Sequence, residues 1–426
     1  KGGIVREEGM DFLVSKKLDE FLNYHKFILD ADMFVTGDAF RKEMRRGAAG
    51  FGSSLKMLPT YLSAEGEMPE RGECLIVDAG GTRVRAAFYV YDGEFVCKSR
   101  KETELCGETD SEGYFAFLAE TAVEVLFSVG RKSVERMGFC FSYPTKMRPD
   151  LDGEALSVTK ETPVRGIEGN TVGKCLKEAL FRRGISVGRV VVLNDTVAAL
   201  CGGAAEVSEC GGRIGFVMGT GCNVCYEELA ERTSAVGKAE GKIIVNIESG
   251  NYNGFPMSDF DREVIALTEN PKAQLFEKMT AGRYLGSVFS AAIRTAAGEG
   301  IVSKADFPEV TTEEMSRFLG GERTSLVFGS ESDRDFASGL GRAIVERSAI
   351  MCATIIISVM READIGRDKP VSIAAEGSTF GKLTGFREEF LRYLSDYAES
   401  CGRSFVLCEK PRLNEIGTVF AALTAR

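Results

Sequence analysis

An aspartate at the joint between two patterns is the residue of this sequence with the clearest potential for chemistry. The stretch VVLNDTVAAL, residues 191–200, changes from apolar strand formers to small helix formers at Asn194 and Asp195. A carboxylate at such a joint has two interpretations. Asp195 caps the helix that follows, which is a common use of Asp, or it lies at the end of a sheet as the base of an active site.

The presence of a single histidine limits the kinds of catalytic and metal site that this chain can form. His25 is the only histidine among 426 residues, so Ser-His-Asp and Cys-His hydrolysis and zinc sites built on two histidines are disfavoured. A carboxylate is then the leading candidate for a general base. We interpret His25 itself as a residue on the surface of a helix.

Two glycine-bearing turns have the composition of phosphate-binding loops. In DAGGTRVR, residues 78–85, two glycines and Thr82 follow a buried strand, and glycine lets backbone N–H groups point at an anion. Asp78 would repel phosphate unless a cation lay between them, so we expect it to hold Mg²⁺ through water. In GTGCN, residues 219–223, Thr220 and Gly221 are expected to meet the same phosphates from across a cleft. Either turn alone is more often a structural hairpin, but their repetition at matched places favours phosphate.

The composition indicates a protein that binds neither nucleic acid nor a membrane. The formal net charge is −10, whereas those partners require a surplus of Lys and Arg. The longest uncharged apolar run, residues 348–360, is shorter than the ~20 residues of a spanning helix, and we interpret it as a buried helix. The 12 cysteines lie mostly in apolar stretches, as reduced thiols do. We therefore expect a cytoplasmic protein in which the CxxC pair, Cys222 and Cys225, is part of the core.

Hydrophobic periodicity predicts an α/β protein of two or three domains with an internal duplication. Residues 11–46 are predicted to be helical. Residues 74–100 indicate strand, Gly-rich turn, strand, Asp-Gly hairpin and strand, followed by helix, strand, helix and the strand RVVVLN. After Gly212 the same three-strand opening recurs with its own Gly-Thr-Gly turn. Long helices are expected at 259–297 and 335–363, a strand and turn at 370–380, and a helix at the end.

These motifs, in this order, resemble those of the hexokinases, which are sugar kinases of the actin-like ATPase superfamily. The resemblance covers nearly the whole chain. Its motifs are SLKMLPTYL between the lobes, VDAGGTRVR and GTGCNVCYEE as phosphate turns, FCFSYP and SVTK as the sugar loop, LNDTVAAL as the catalytic turn, FEKMTAGRYLG near the sugar, and ERSAIMCATII with EGSTF on the adenosine side. The resemblance implies a duplicated actin-like ATPase (ribonuclease H-like) fold with a central cleft. Its small lobe would contain residues 62–195 plus 411–426, and its large lobe residues 1–61 plus 196–410.

The resemblance also implies a site for ATP, Mg²⁺ and a hexose, with glucose as the expected sugar, in a monomer or homodimer. Asp195 is then the general base that accepts the proton of the sugar's primary hydroxyl as it attacks the γ-phosphate. The residues implied to hydrogen-bond the sugar are Ser142, Thr159, Lys160, Asn194, Asp195, Asn223 and Glu248. Those implied around Mg²⁺ and the phosphates are Asp78, Gly80, Gly81, Thr82, Arg85, Thr220 and Gly221, and the adenosine turn is Gly377 and Ser378.

Two departures from the family pattern leave alternatives open. Ser287 follows RYLG, where the family usually carries a Glu that contacts the sugar, and the turn of Glu248 lacks the family's Trp, since the chain contains no Trp. The first hypothesis is an ATP-dependent hexose 6-kinase. The second is a non-catalytic sugar sensor on the same scaffold, and the third is a kinase for an N-acetylated or non-hexose substrate. Site residues also have structural interpretations: Lys160 and Arg85 as solvated charges, Glu248 as a strand end, and Ser142 as a turn residue.

Overall fold

The computed structural model describes residues 4–29, 33–80, 83–105, 107, 109–156, 164–233, 241–303 and 307–425. Over these residues, in chain order, the strands are β1 (Leu58–Pro59), β2 (Gly72–Ala79), β3 (Arg83–Tyr91), β4 (Phe95–Glu104), β5 (Thr109–Asp110), β6 (Ser133–Phe141), β7 (Thr145–Met147), β8 (Gly153–Ala155), β9 (Val164–Arg165), β10 (Ser186–Leu193), β11 (Gly212–Met218), β12 (Cys222–Leu229), β13 (Lys242–Asn246), β14 (Val371–Glu376) and β15 (Phe405–Cys408). The helices are α1 (Ile4–Tyr24), α2 (Met33–Ala48), α3 (Ser111–Ser128), α4 (Val172–Phe181), α5 (Asp195–Glu206), α6 (Asp259–Ala266), α7 (Leu275–Thr280), α8 (Leu285–Gly298), α9 (Thr312–Leu319), α10 (Glu331–Glu362), α11 (Ser378–Lys382), α12 (Phe386–Ser400) and α13 (Leu413–Thr424).

The first half of the chain forms a five-stranded mixed sheet in the order β10-β6-β2-β3-β4. β2, β3 and β4 are antiparallel neighbours. The turn between β3 and β4 carries Gly93 at a φ of 82°, a conformation typical of an Asp-Gly hairpin. β6 and β10 join the sheet in parallel, after crossovers through α3 and α4. The predicted sequence of three strands, helix, strand, helix and strand is confirmed in this half.

The second half repeats this plan in a six-stranded sheet with the order β1-β13-β12-β11-β14-β15. β11, β12 and β13 form an antiparallel meander, and β14 and β15 extend the sheet in parallel from β11. In both sheets the strands of the repeated unit run in the order third, second, first, fourth, fifth. The predicted duplication is therefore confirmed.

Two helices, α5 and α13, each pack on the sheet of the other half of the chain. α5 follows the last strand of the first sheet but packs on β11, β12 and β14 of the second, whereas α13 packs on β2 and β6 of the first. Their backbones touch where they cross: a Cβ at Gly417 would lie 1.8 Å from the carbonyl oxygen of Ala198, and one at Gly202 would lie 2.3 Å from that of Leu413. Only glycine permits this approach, so the position of α5 depends on α13.

The helices expected at 11–46 and 259–297 are each interrupted. The first is α1 and α2, and the second is α6, α7 and α8. Pro271, which has no backbone N–H to continue a helix, lies between α6 and α7. Gly282, between α7 and α8, packs so closely on the second half's sheet that its Cβ would lie 2.8 Å from the carbonyl oxygen of Gly219. The helices expected at 259–297 are therefore confirmed, and these two residues account for the breaks between them.

α10 is the central helix of the second half. Among the described residues it is the one helix long and apolar enough to cross a membrane, but 94% of its apolar window is buried inside the fold, which confirms the interpretation of residues 348–360. Its Arg347 forms a buried ion pair with Asp261 of α6, with Nη2 2.6 Å from Oδ1. The same guanidinium lies 3.8 Å from the ring centroid of Phe27. Through these two contacts, Arg347 of α10 binds α6 and the segment after α1 to the core.

The interpretation of His25 as a surface residue of a helix is wrong. His25 follows the end of α1, and only 9% of its side chain is exposed. Its Nδ1 lies 3.4 Å from Asp259 Oδ2 and its Nε2 lies 3.0 Å from Glu299 Oε1, while the rings of Phe21 and Phe260 pack on it. The histidine fastens α1 to α6 and to the end of α8.

The described cysteines are thiols, not disulfides. Cys222 and Cys225 both lie buried on β12, and the Cys225 thiol donates to the carbonyl oxygen of Thr196 at 3.1 Å. No group of three or more His, Cys, Asp or Glu side chains suited to a metal ion occurs in the part of the chain that the structure describes. The expected core role of the CxxC pair is confirmed.

Candidate active site

Asp195 begins α5 at the carboxyl end of β10, at the predicted joint. The helix cap, however, is Asn194, whose backbone is extended and whose Oδ1 accepts the N–H of Thr196 at 2.9 Å. The cap interpretation of Asp195 is therefore wrong. Asp195 is half-buried and lies in the first helical turn, where the helix dipole favours negative charge. Capping alone does not account for this aspartate.

The first glycine turn lies beside the sugar loop. Asp78 is the second-last residue of β2. The N–H of Gly80 donates to the carbonyl oxygen of Arg83 at 3.0 Å. Buried Ser142, just after β6, donates its N–H to the carbonyl oxygen of Ala79 at 3.4 Å. The remaining predicted residues of these two loops, Gly81, Thr82, Thr159 and Lys160, lie outside the described residues.

Charge couples this turn to the start of α5. Burial raises the pKa of the Asp78 carboxyl, the guanidinium of Arg85 lowers it, and the negative charge of Asp195 adds to the rise. Arg85 Nη1 lies 3.1 Å from Asp78 Oδ2, so Arg85 is paired rather than simply solvated. The effect of Asp195 on the pKa of Asp78 indicates that these two residues lie within electrostatic reach of each other.

Glu277 of α7 supports the second glycine turn. The N–H of Gly219 donates to the carbonyl oxygen of Gly221 at 2.9 Å, and Thr220 is exposed at the tip of the turn. Glu277 Oε2 accepts the N–H of Cys222 at 3.1 Å, and a Cβ at Gly221 would lie 2.5 Å from that oxygen. Glu277 belongs to the motif FEKMTAGRYLG, but the sequence pattern alone does not distinguish it from other charged residues.

The turn predicted for adenosine packs directly on the second glycine turn. Gly377 has a φ of 119°, and a Cβ there would lie 2.3 Å from the carbonyl oxygen of Met218, so this position requires glycine. The hydroxyl of Thr379 donates to the carbonyl oxygen of Gly219 at 2.8 Å. Ser378 is exposed at the start of α11. The two turns therefore form one continuous surface.

Glu376 connects this surface with the first turn. Burial raises the pKa of its carboxyl, Arg85 lowers it, and Asp78 raises it. Because Arg85 and Asp78 belong to the first sheet and Glu376 to the second, the two halves meet electrostatically at this point. Glu376 was not predicted, since nothing in the local pattern distinguishes it from the other charged residues at strand ends.

The residues predicted for the sugar in the second half form a hydrogen-bonded chain. Asn223 Nδ2 donates to Asn246 Oδ1 at 2.8 Å, and Asn246 Nδ2 donates to Glu248 Oε1 at 2.9 Å. Glu248 is buried and has a left-handed backbone, with φ of 58°, a conformation that is costly for a non-glycine residue and concentrates at functional sites. Asn246 was missed, but its spacing of two residues from Glu248 was a usable signal.

The start of α5 lies against this polar chain. The contact between Cys225 and Thr196 places the first turn of α5 on β12, two residues along that strand from Asn223. Ser287 lies half-buried in the first turn of α8. The structure therefore groups the described site residues around the junction of both sheets with α5.

A duplicated α/β fold with a glycine turn on each half and a carboxylate beside them is the architecture of the actin-like ATPase sugar kinases. Two family models described as hexokinase match residues 18–205 and 213–422, and the chain belongs to the hexokinase family. It is 29% identical to human hexokinase-1 over 336 residues, which are 75% of this chain and 36% of that protein. The chain thus spans about a third of the length of the hexokinase-1 relatives that it matches.

Solved structures support the same fold. A Schistosoma mansoni hexokinase complexed with glucose superimposes with a TM-score of 0.81 at 24% identity, covering 97% of this chain and 100% of that one. A ROK family glucokinase from Streptomyces griseus, in complex with glucose and AMPPNP, has a TM-score of 0.50 at 16% identity, covering 82% and 98%. The predicted actin-like ATPase fold is confirmed.

Proposed function

We propose that this protein transfers the γ-phosphoryl group of MgATP to the 6-hydroxyl of a hexose, with glucose as the expected substrate and Asp195 as the general base. The observation that carries the proposal is a half-buried aspartate that lies one residue past the cap of its helix and within electrostatic reach of the first glycine turn. Membership of the hexokinase family supports it. So do the glucose and the ATP analogue bound to two proteins of the same fold.

Asp195 has one carboxylate oxygen available for a proton. Oδ1 accepts the N–H of Thr196 at 2.9 Å, while Oδ2 has no hydrogen-bond partner among the residues that the structure describes. Phosphoryl transfer relies mainly on positioning and charge neutralisation. Asp195 would therefore orient the attacking hydroxyl and accept its proton late in the reaction.

The polar chain of Asn223, Asn246 and Glu248 would select the sugar. A sugar presents hydroxyls that both donate and accept, and amide and carboxylate groups match them. Because these side chains are fixed by one another, a sugar with a missing or inverted hydroxyl would leave a buried polar group unpaired. Such sites reject the wrong analogue by up to ~10⁴-fold.

The residues present fit a magnesium ion held through water and phosphate rather than by a protein cage. Asp78 is a buried carboxylate whose ionised form is disfavoured by burial and by Asp195, and a nearby cation would relieve both effects. Magnesium is commonly bound by one or two carboxylates plus substrate phosphates. When bound, the ion would neutralise charge on the phosphates, and Asp78 would hold its water ligands.

The lobe boundaries that we propose are residues 62–195 plus 411–426 for the small lobe and the remainder for the large lobe. The packing of α13 on the first sheet and of α5 on the second supports a division at Asp195. Closure of the lobes on a sugar would exclude water, which otherwise competes for the phosphoryl group.

A coupled ADP-release assay over a panel of hexoses, with the phosphate position of the product determined by NMR, tests the proposal. We expect MgATP-dependent turnover with glucose or a close epimer and a 6-phosphate product. Saturable sugar binding without turnover on any sugar would refute the kinase and favour the sensor, for which Ser287 is the motivating departure. Turnover confined to N-acetylated or non-hexose substrates would favour the third hypothesis.

A further inference from the structure

A row of alternating charges crosses the first sheet beside its glycine turn. Asp78 of β2 is the register partner of Arg85 on β3, and Arg85 is the register partner of Glu102 on β4. Side chains directly opposite each other in antiparallel strands share a face. Register alone therefore places a carboxylate on each side of the guanidinium, and we call these three residues the charge ladder.

Hydrogen bonds along the charge ladder use two different nitrogens of Arg85. Nη1 donates to Asp78 Oδ2 at 3.1 Å, and Nε donates to Glu102 Oε2 at 3.2 Å. The third nitrogen, Nη2, has no hydrogen-bond partner among the residues that the structure describes. A planar guanidinium held at two of its nitrogens has a fixed orientation, and its remaining N–H groups suit an oxygen of a phosphate.

Glu102 is itself fixed from both strands. Arg83 Nη1 donates to Glu102 Oε1 at 2.7 Å, and Arg100 Nη2 lies 3.6 Å from Glu102 Oε2. Arg100 also lies 2.8 Å from the buried Glu415 of α13. The pKa of Glu102 is lowered, chiefly by its hydrogen bond from Arg83. The carboxylate that holds Arg85 is therefore ionised and anchored rather than a mobile surface charge.

We propose that Glu102 is a positioning residue that presents the guanidinium of Arg85 to the phosphates of the nucleotide. This inference rests on the proposed function, because it requires a nucleotide at the first glycine turn. Two effects of Glu102 oppose each other. Its negative charge weakens the attraction of Arg85 for phosphate, whereas its hydrogen bond orders Arg85, and the proposal states that ordering prevails.

The substitution Glu102→Gln separates the two effects, since it removes the charge and keeps the shape. We expect the KM for MgATP and the Kd for MgADP to rise about tenfold, the size of one charge-assisted hydrogen bond, with kcat and the sugar KM changed less than about threefold. Glu104→Gln is the matched control: it removes the same charge from the same face of β4, at the register partner of Arg83. We expect it to change the KM by less than about twofold.

A tighter or unchanged nucleotide constant in Glu102→Gln would overturn the proposal, and so would equal shifts in both variants, which would indicate long-range charge alone. Calorimetric binding of MgADP keeps the test separate from turnover. A wild-type protein that binds MgADP without turnover refutes the proposed function but still tests the ladder. A wild-type protein that binds no MgADP refutes both.

Discussion

The crossing of α5 and α13 makes Gly417→Ala a demanding test of the fold. The added Cβ would lie 1.8 Å from the carbonyl oxygen of Ala198 and 2.4 Å from the backbone nitrogen of Gly202. Ordinary contacts begin at 3.4 Å, so the helices would have to separate by about 1.5 Å, and no side-chain rotation relieves a contact with backbone.

We expect Gly417→Ala to lower the free energy of unfolding by about 3 kcal/mol, at the upper end of the cost of overpacking. Where the protein still folds, α5 shifts with Asp195 at its first turn, and a displacement of about 1 Å at a reacting group can lower kcat about 100-fold. Urea unfolding and the coupled assay measure both. The matched control is Gly298→Ala, at a helical glycine with no atom within 4 Å of the added Cβ, which we expect to be neutral or stabilising by up to about 1 kcal/mol. Wild-type stability and activity in Gly417→Ala would refute the crossing as described.

Two further predictions concern the core. Asp261→Asn leaves buried Arg347 without its partner and should cost about 3–5 kcal/mol at neutral pH in urea unfolding. Burial raises the pKa of Asp261, but Arg347 and Ser258 lower it overall. The stabilisation by this ion pair is therefore present above the unfolded pKa of roughly 3.9 and is lost as the pH falls through the lower folded pKa. A difference in unfolding free energy between wild type and Asp261→Asn that does not narrow in acid would contradict the pairing. Alkylation of the native protein, followed by mass spectrometry, should label the half-buried thiols before the buried ones. The half-buried thiols are Cys97, Cys175, Cys210 and Cys401, whereas Cys74 is buried and its pKa is raised by burial to about 12. Equally fast labelling of Cys74 would show that its strand is not packed as described.

Local patterns were sufficient to predict the repeated three-strand units and the joint at Asp195. Apolar alternation, the Asp-Gly hairpin and the Gly-Thr turns each act within a few residues of chain, so the sequence displays them directly. Because the three-strand unit occurs twice in the sequence, two sheets of the same plan can be predicted. The boundaries of the helices expected at 259–297 are harder to predict, because the need for a turn at Gly282 comes from its contact with Gly219, more than 60 residues away.

Features that depend on register or on distant partners escaped prediction. His25 has carboxylate partners 234 and 274 residues away, which no helical pattern reveals. Glu102 becomes a neighbour of Arg85 only when β3 and β4 pair in their observed register. The observed cap of α5, Asn194, lies one residue before Asp195, which the sequence also allows as a cap. Asn and Asp have nearly equal cap preferences, so the backbone conformation decides between them.

The most direct test of the central claim is turnover by Asp195→Ala. We expect sugar and MgADP binding by calorimetry to remain within a few-fold of wild type, while kcat falls by about 10²–10⁴, the usual contribution of a general base. Asp195→Asn, which keeps the shape of the side chain, should lose activity to a similar extent. Turnover close to that of wild type in either variant would contradict the assignment of Asp195 as the base.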